Sequence, residues 1–161
     1  MTADANASSP PQEEANTDPL KGIGGWLVLL GIGQVVGIYK TMVFFIQFYA
    51  NPETIAASHQ LPNAMNGETT LNGIYFAVAI FTAYAFFTQK KYLPILFTVE
   101  VVLTACLPVL DALWVSITTT ATFDKVIDPG GVGRSIGTSI IGLIWVAYLF
   151  LSKRAKKTFV N

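Results

Sequence analysis

Four long apolar stretches in a chain of 161 residues leave few options for the fold. They cover residues 27–43, 71–88, 93–115 and 136–151. About 20 apolar residues, rising 1.5 Å each, cross a hydrocarbon core of about 30 Å, and each stretch approaches or reaches that length. Inside hydrocarbon a segment has to satisfy its own backbone N–H and C=O groups, which for such stretches means α-helix. The expected fold is all-α: a polytopic membrane protein with four transmembrane helices in an antiparallel bundle.

Composition supports this. Hydrophobic residues make up 52% of the chain and charged residues 12%, where a soluble domain carries about 25% charged residues. Ten basic and ten acidic residues cancel. The net basic field that nucleic acid requires is therefore absent, and no nucleic-acid partner is expected. Cys106, in the third apolar stretch, is the only cysteine. It has no disulfide partner in the chain and reads as a small hydrophobe.

Residues 1–20 read as a disordered acidic tail, carrying Asp4, Glu13, Glu14 and Asp18 with too little apolar surface to fold alone. It lacks the basic n-region of a signal peptide. Residues 21–159 form the transmembrane domain, with helices expected at about 24–49, 71–88, 93–115 and 134–151. Residues 51–70 read as a polar loop, and Gln89-Lys90-Lys91 as a basic turn short enough to force an antiparallel hairpin. Residues 116–133 read as a Thr-rich loop ending in the turn Asp128-Pro129-Gly130-Gly131.

Basic residues in short loops set orientation. Four spans put Lys21, Lys90, Lys91, Lys153, Arg154, Lys156 and Lys157 on one side, against Lys125 and Arg134 on the other. Both termini are expected in the cytoplasm.

Ionisable residues within apolar spans normally face the bundle interior or a water-filled cavity. Counted from Lys21, Lys91 and Lys153, the residues Lys40, Asp111 and Arg134 each lie 19 or 20 positions away, about 28–30 Å from the inner face. They make a candidate outer charge cluster, read first as a clasp between helices, second as a vestibule or anion site, and third as no contact at all, with Lys40 snorkelling outward and the acid wet. Glu100, nine positions from Lys91, lies about 14 Å deep, near the midplane, with no cation at its depth. Glu100 and Thr104 are the candidate intramembrane polar or proton site, and Asp111 falls on the same face of the helix. Pro108 removes the amide donor that Thr104 would otherwise receive, which favours a kink and a local polar pocket. Glu100 reads either as a protonated structural acid held by neighbouring hydroxyls or as a proton or cation relay.

In the first helix Trp26, Gly33, Lys40 and Gln47 repeat every seven positions, with Gly37 on the same face. Gly33/Gly37 and Gly133/Gly137 are GxxxG pairs, which let helix backbones approach closely. The glycine clusters lack the strand–helix setting of a phosphate loop, and no HExxH, GxSxG or Cys/His ligand group occurs. His59 stands alone in a loop. No catalytic residue, metal site or cofactor is expected. The four C-terminal cations would attract anionic lipid, but their simpler role is to set topology.

Both ends carry a recognisable pattern. Gly22-Ile23-Gly24-Gly25-Trp26-Leu27 leads into the first helix, and Ser152-Lys153-Arg154-Ala155-Lys156-Lys157-Thr158-Phe159 follows the last. Together they resemble the bacterial family called domain of unknown function number twenty-five sixty-nine. The resemblance covers roughly residues 21 to 159. It implies a small inner-membrane protein with about four spans and supplies no activity or catalytic residue. The leading expectation is a non-enzymatic accessory, sensor or assembly partner in the bacterial inner membrane. It would be surrounded by lipid and associated with a membrane protein or with copies of itself. The alternative is a small oligomeric transporter or proton/ion-conducting protein that uses Glu100.

Overall fold

A computed structural model describes residues 22–160. The acidic tail expected over 1–20, and Lys21, lie outside the described residues. Seven helices follow in order: α1 (Trp26–Ala50), α2 (Pro52–Gln60), α3 (Pro62–Phe87), α4 (Leu93–Thr118), α5 (Phe123–Val126), α6 (Pro129–Leu151) and α7 (Lys153–Thr158). Among the described residues there is no strand. Four helices, α1, α3, α4 and α6, are long and apolar enough to cross a membrane. The protein is an all-α, multi-pass membrane protein.

Two boundaries differ from what hydropathy predicts, and prolines explain both. The second membrane helix starts at Pro62 rather than near 71, and residues 52–60 form a helix of their own. Pro52 and Pro62 each occupy the first turn of a helix, where a missing N–H costs nothing and φ is already set. Asn51 caps α2, its side chain accepting from the Glu53 N–H at 2.9 Å. The last membrane helix likewise begins at Pro129. Asp128, expected in a turn, is its N-cap, accepting from the N–H groups of Gly130 and Gly131 at 3.0 and 2.8 Å. Polar residues 62–70 then extend α3 past its apolar part.

Crossing four times, the chain leaves both described ends and the α3–α4 turn on one face, here called the terminal face; α2 and α5 lie at the opposite, distal face. The α3–α4 turn is tight: Lys90 N–H donates to Ala85 C=O at 2.8 Å, around Gln89 at φ 55°. This is a left-handed helix cap.

The terminal half holds the core. Leu27, Leu30, Ala85, Phe86, Leu93, Phe97, Leu149, Ala155 and Phe159 form one buried cluster. Phe86 is fully buried, and a Cβ on Gly31 would come within 2.8 Å of its ring, so glycine there lets α1 approach α3. The two chain ends interlock: Thr158 Oγ donates to Gly22 C=O at 3.0 Å, the Arg154 guanidinium covers Gly24, and the Phe159 ring lies 5.6 Å from that of Phe86. The motifs that lead into the first helix and follow the last are thus in contact.

In the membrane layer α1 packs on α3, α3 on α4, and α4 on α6. The ring does not close. Direct contact between α1 and α6 is slight, and a cleft separates them.

Candidate functional site

Glu100 lies seven residues, about two turns, into α4. Each of the three other membrane helices brings a polar side chain to its level. Gln34 of α1, 6% exposed, donates its Nε2 to Glu100 Oε2 at 3.4 Å, a long contact for an N–H···O bond. Thr82 of α3 is fully buried and donates to Val78 C=O at 2.9 Å, with its hydroxyl oxygen against the Glu100 carboxyl. Ser139 of α6, also buried, donates to Val101 C=O at 3.5 Å. One turn on in α4, Thr104 returns its hydroxyl to the Glu100 carbonyl at 2.9 Å. The remaining oxygen of the Gln34 amide is buried without a hydrogen-bond partner among the described residues.

Two cavities meet here. The distal one, about 400 Å³, is bordered by Glu68, Asn72, Tyr75, Thr104, Asp111 and Arg134. The inner one, about 230 Å³, lies between α1 and α6 and is bordered by Gln34, Tyr75, Glu100, Thr104 and Ser139. Tyr75 and Thr104 border both, and the Tyr75 phenol lies beside the Thr104 hydroxyl. The polar side chains of the two linings therefore make a file along α4, from Asp111 at the distal end to Glu100, about 16 Å away along the helix, with Tyr75 and Thr104 between the two spaces. Leu30 and Phe97 stand at the inner end, where the apolar core begins.

At the distal end Glu68 and Asp111 lie close enough for their charges to interact. One Asp111 oxygen is buried without a hydrogen-bond partner among the described residues. Arg134 borders the same cavity, and its ion pair, at 3.7 Å, is with Asp128 in a largely exposed setting. Of the expected outer cluster, Asp111 and Arg134 thus share a cavity, while Lys40 is exposed and does not border it. Glu100 and Thr104 are brought together as neighbours on one helix face. Helix α4 runs unbroken through Pro108, which borders the distal cavity.

Sequence reasoning overlooked Gln34, Glu68, Tyr75, Thr82 and Ser139. Glu68 was hidden by reading 51–70 as a loop; Pro62 at a helix start is the signal that places it on α3. Gln34 was hidden by the seven-residue repeat. Trp26, Gly33, Gly37, Lys40 and Gln47 are in fact exposed, and α1 buries Leu27, Leu30, Gly31 and Gln34 instead. Their spacing, at positions i, i+3, i+4 and i+7, was legible as an inward stripe. The GxxxG glycines are not close-approach points among the described residues: a Cβ on Gly33, Gly37, Gly133 or Gly137 meets no atom of another element within 4 Å there. The close helix approaches use Gly31, Gly67 and Gly142.

The chemistry available is a carboxyl group, an amide, hydroxyls and a phenol in series. Such a set can hold and pass a proton or bind a cation. No group of three His, Cys, Asp or Glu residues among those described could hold a metal ion.

Compared with known families, residues 20–160 match the family described as protein of unknown function DUF2569. The chain belongs to that family. The match spans both terminal motifs and all four membrane helices, so the interlocked ends and the polar file both lie inside the DUF2569 region. No match is found among curated proteins or among solved structures.

Proposed function

We propose that this DUF2569 protein is a non-enzymatic membrane protein that carries a proton or a small cation to and from Glu100. The observation behind this reading is that the two cavities adjoin at Tyr75 and Thr104, which border both. A purely structural acid needs partners; it does not need a polar route to one face. The file stops at the apolar core, so carriage across the membrane requires a second conformation that opens Glu100 to the terminal face, as in alternating access. The excess of Lys and Arg on the terminal face supports an inner-membrane orientation with both termini cytoplasmic. In that orientation the file opens away from the cytoplasm.

A proton-flux assay tests the proposal. Purified protein is reconstituted in vesicles with an internal pH dye, and a potassium diffusion potential drives uptake. Wild type should acidify the lumen above the empty-vesicle rate, and Glu100→Gln, nearly isosteric, should return to that rate with unchanged thermal stability. Equal flux through Glu100→Gln would overturn the reading.

The accessory or assembly-partner reading draws on a different observation, the unpacked Gly33/Gly37 and Gly133/Gly137 pairs. A partner retained in stoichiometric amount through a mild-detergent purification would favour it.

A further inference from the structure

We propose that the cleft between α1 and α6 binds an organic ammonium ion with an apolar body, held at its charged end by Gln34 and Glu100. This rests on the reading of Glu100 as a cation-handling group and names the class of cation.

The argument begins with donors and acceptors. Around the cleft the hydroxyl protons of Thr104, Thr138 and Ser139 are committed to backbone carbonyls, those of Glu100, Arg134 and Val101. The Gln34 amide nitrogen is turned to Glu100. The Tyr75 phenol and the Trp145 indole also border the cleft, but the one carboxyl there is that of Glu100, with three hydroxyl oxygens beside it, and the Gln34 Oε1 next to them is buried without a partner among the described residues. A buried acceptor left without a donor costs about 1–3 kcal/mol, so this floor favours a ligand that brings N–H groups. No Lys or Arg borders the cleft to supply them. A proton on Glu100 supplies one donor. An ammonium group supplies up to three together with the matching charge.

The walls select among cations. Leu29, Leu30, Phe97, Ile141 and Trp145 line about 230 Å³ beside the polar floor. A bare alkali ion leaves such walls uncovered, whereas an apolar or aromatic body fills them. Trp145 and Phe97 put aromatic rings in the wall, and an aromatic ring attracts a cation or packs on another ring. The cleft opens sideways because α1 and α6 scarcely touch, which gives an amphiphilic amine a route from the bilayer.

Glycine makes a clean test. Gly37 borders the cleft, and a Cβ there meets nothing within 4 Å. Gly37→Leu should therefore fill the cleft without disturbing the packing of the four helices. Binding of 2-phenylethylammonium to the full chain in zwitterionic lipid nanodiscs is measured by titration calorimetry. Two similarly shaped controls are run beside it, neutral 2-phenylethanol and anionic 3-phenylpropionate.

Saturable binding at one site per chain is expected, with both controls weaker by roughly tenfold or more, the scale of one lost charge-assisted hydrogen bond. Gln34→Leu should weaken the ammonium by a similar factor, and Gly37→Leu and Glu100→Gln should abolish saturation. Equal binding of the alcohol would reduce the cleft to an apolar groove and overturn the proposal. So would wild-type affinity in Gly37→Leu, or complete displacement by physiological sodium, which would assign the acceptors to a bare alkali ion. Absence of saturable binding also overturns it, and disulfide cross-linking of Gly37→Cys between copies would then name a second chain as the occupant. The assay imposes no gradient. Flux without amine binding would sink only the ligand class, and amine binding without flux would sink only the carrier reading.

Discussion

The terminal and distal halves of this molecule are built from the same four helices but do different things with their interiors. In the terminal half, large side chains fill the space: Phe86, Leu27, Leu93 and Leu149 are fully buried, and Thr158 of the chain end joins them. In the distal half of the membrane helices, the buried residues are small, among them Ala64, Gly67 and Ala112, and the remaining space is cavity. Between lipid-surrounded helices there is little hydrophobic driving force, so dense van der Waals packing carries much of the stability. A half that is densely packed can hold the fold while the other half keeps polar, open space. Glu100 lies at the junction of the two.

This division is easiest to break at its densest point. Phe86→Ala should destabilise the protein by about 3–5 kcal/mol, because a cavity at a fully buried ring between α1, α3 and the chain end cannot collapse without separating them. Denaturant titration in a fixed mild detergent checks it, and a loss under 1 kcal/mol would mean the core is not where stability resides.

A smaller effect is expected at a tight contact of the distal half. A Cβ on Gly67 would overlap the Trp114 indole, whose N–H donates to Asn63 C=O at 3.0 Å. Gly67→Ala should cost about 1–3 kcal/mol by displacing Trp114, read as a red shift or quenching of tryptophan emission alongside the melting curve. The interlock of the chain ends should be worth least. Thr158→Val keeps the shape and removes the bond to Gly22, for about 1 kcal/mol. Limited proteolysis after the last membrane helix should speed up correspondingly. If Gly67→Ala proved more costly than Phe86→Ala, the assignment of stability to the terminal half would be reversed.

Much of the architecture was legible in the sequence because hydrophobic length is a direct physical signal. The four spans and the hairpin at Gln89-Lys90-Lys91 follow from counting residues. The site was only partly legible. Glu100, Thr104 and Asp111 stand out because charge and hydroxyls are rare in apolar runs, and one helix carries all three. Gln34 and Thr82 do not stand out, since uncharged polar residues are common in membrane helices and only tertiary contact gives them a role. Lys40 follows the reading in which it extends outward, away from the cluster. A cation at the right depth can extend its long stem outward, so matching depth does not imply contact. The distal helices were missed because Pro52, Pro62 and Pro129 mark loops and helix starts alike; Asn51 and Asp128 cap two of these starts with their side chains, whereas Leu61 before Pro62 does not.

The most direct test of the central claim is the accessibility of Thr104, where the two cavities join. With Cys106 replaced by Ser, Thr104→Cys is exposed to a membrane-impermeant cationic thiol reagent from one side of the membrane at a time. Reaction from the face opposite the termini, and not from the terminal face, is the predicted result. Reaction only from the terminal face, or from neither, would contradict a polar file that reaches Glu100 from the distal side.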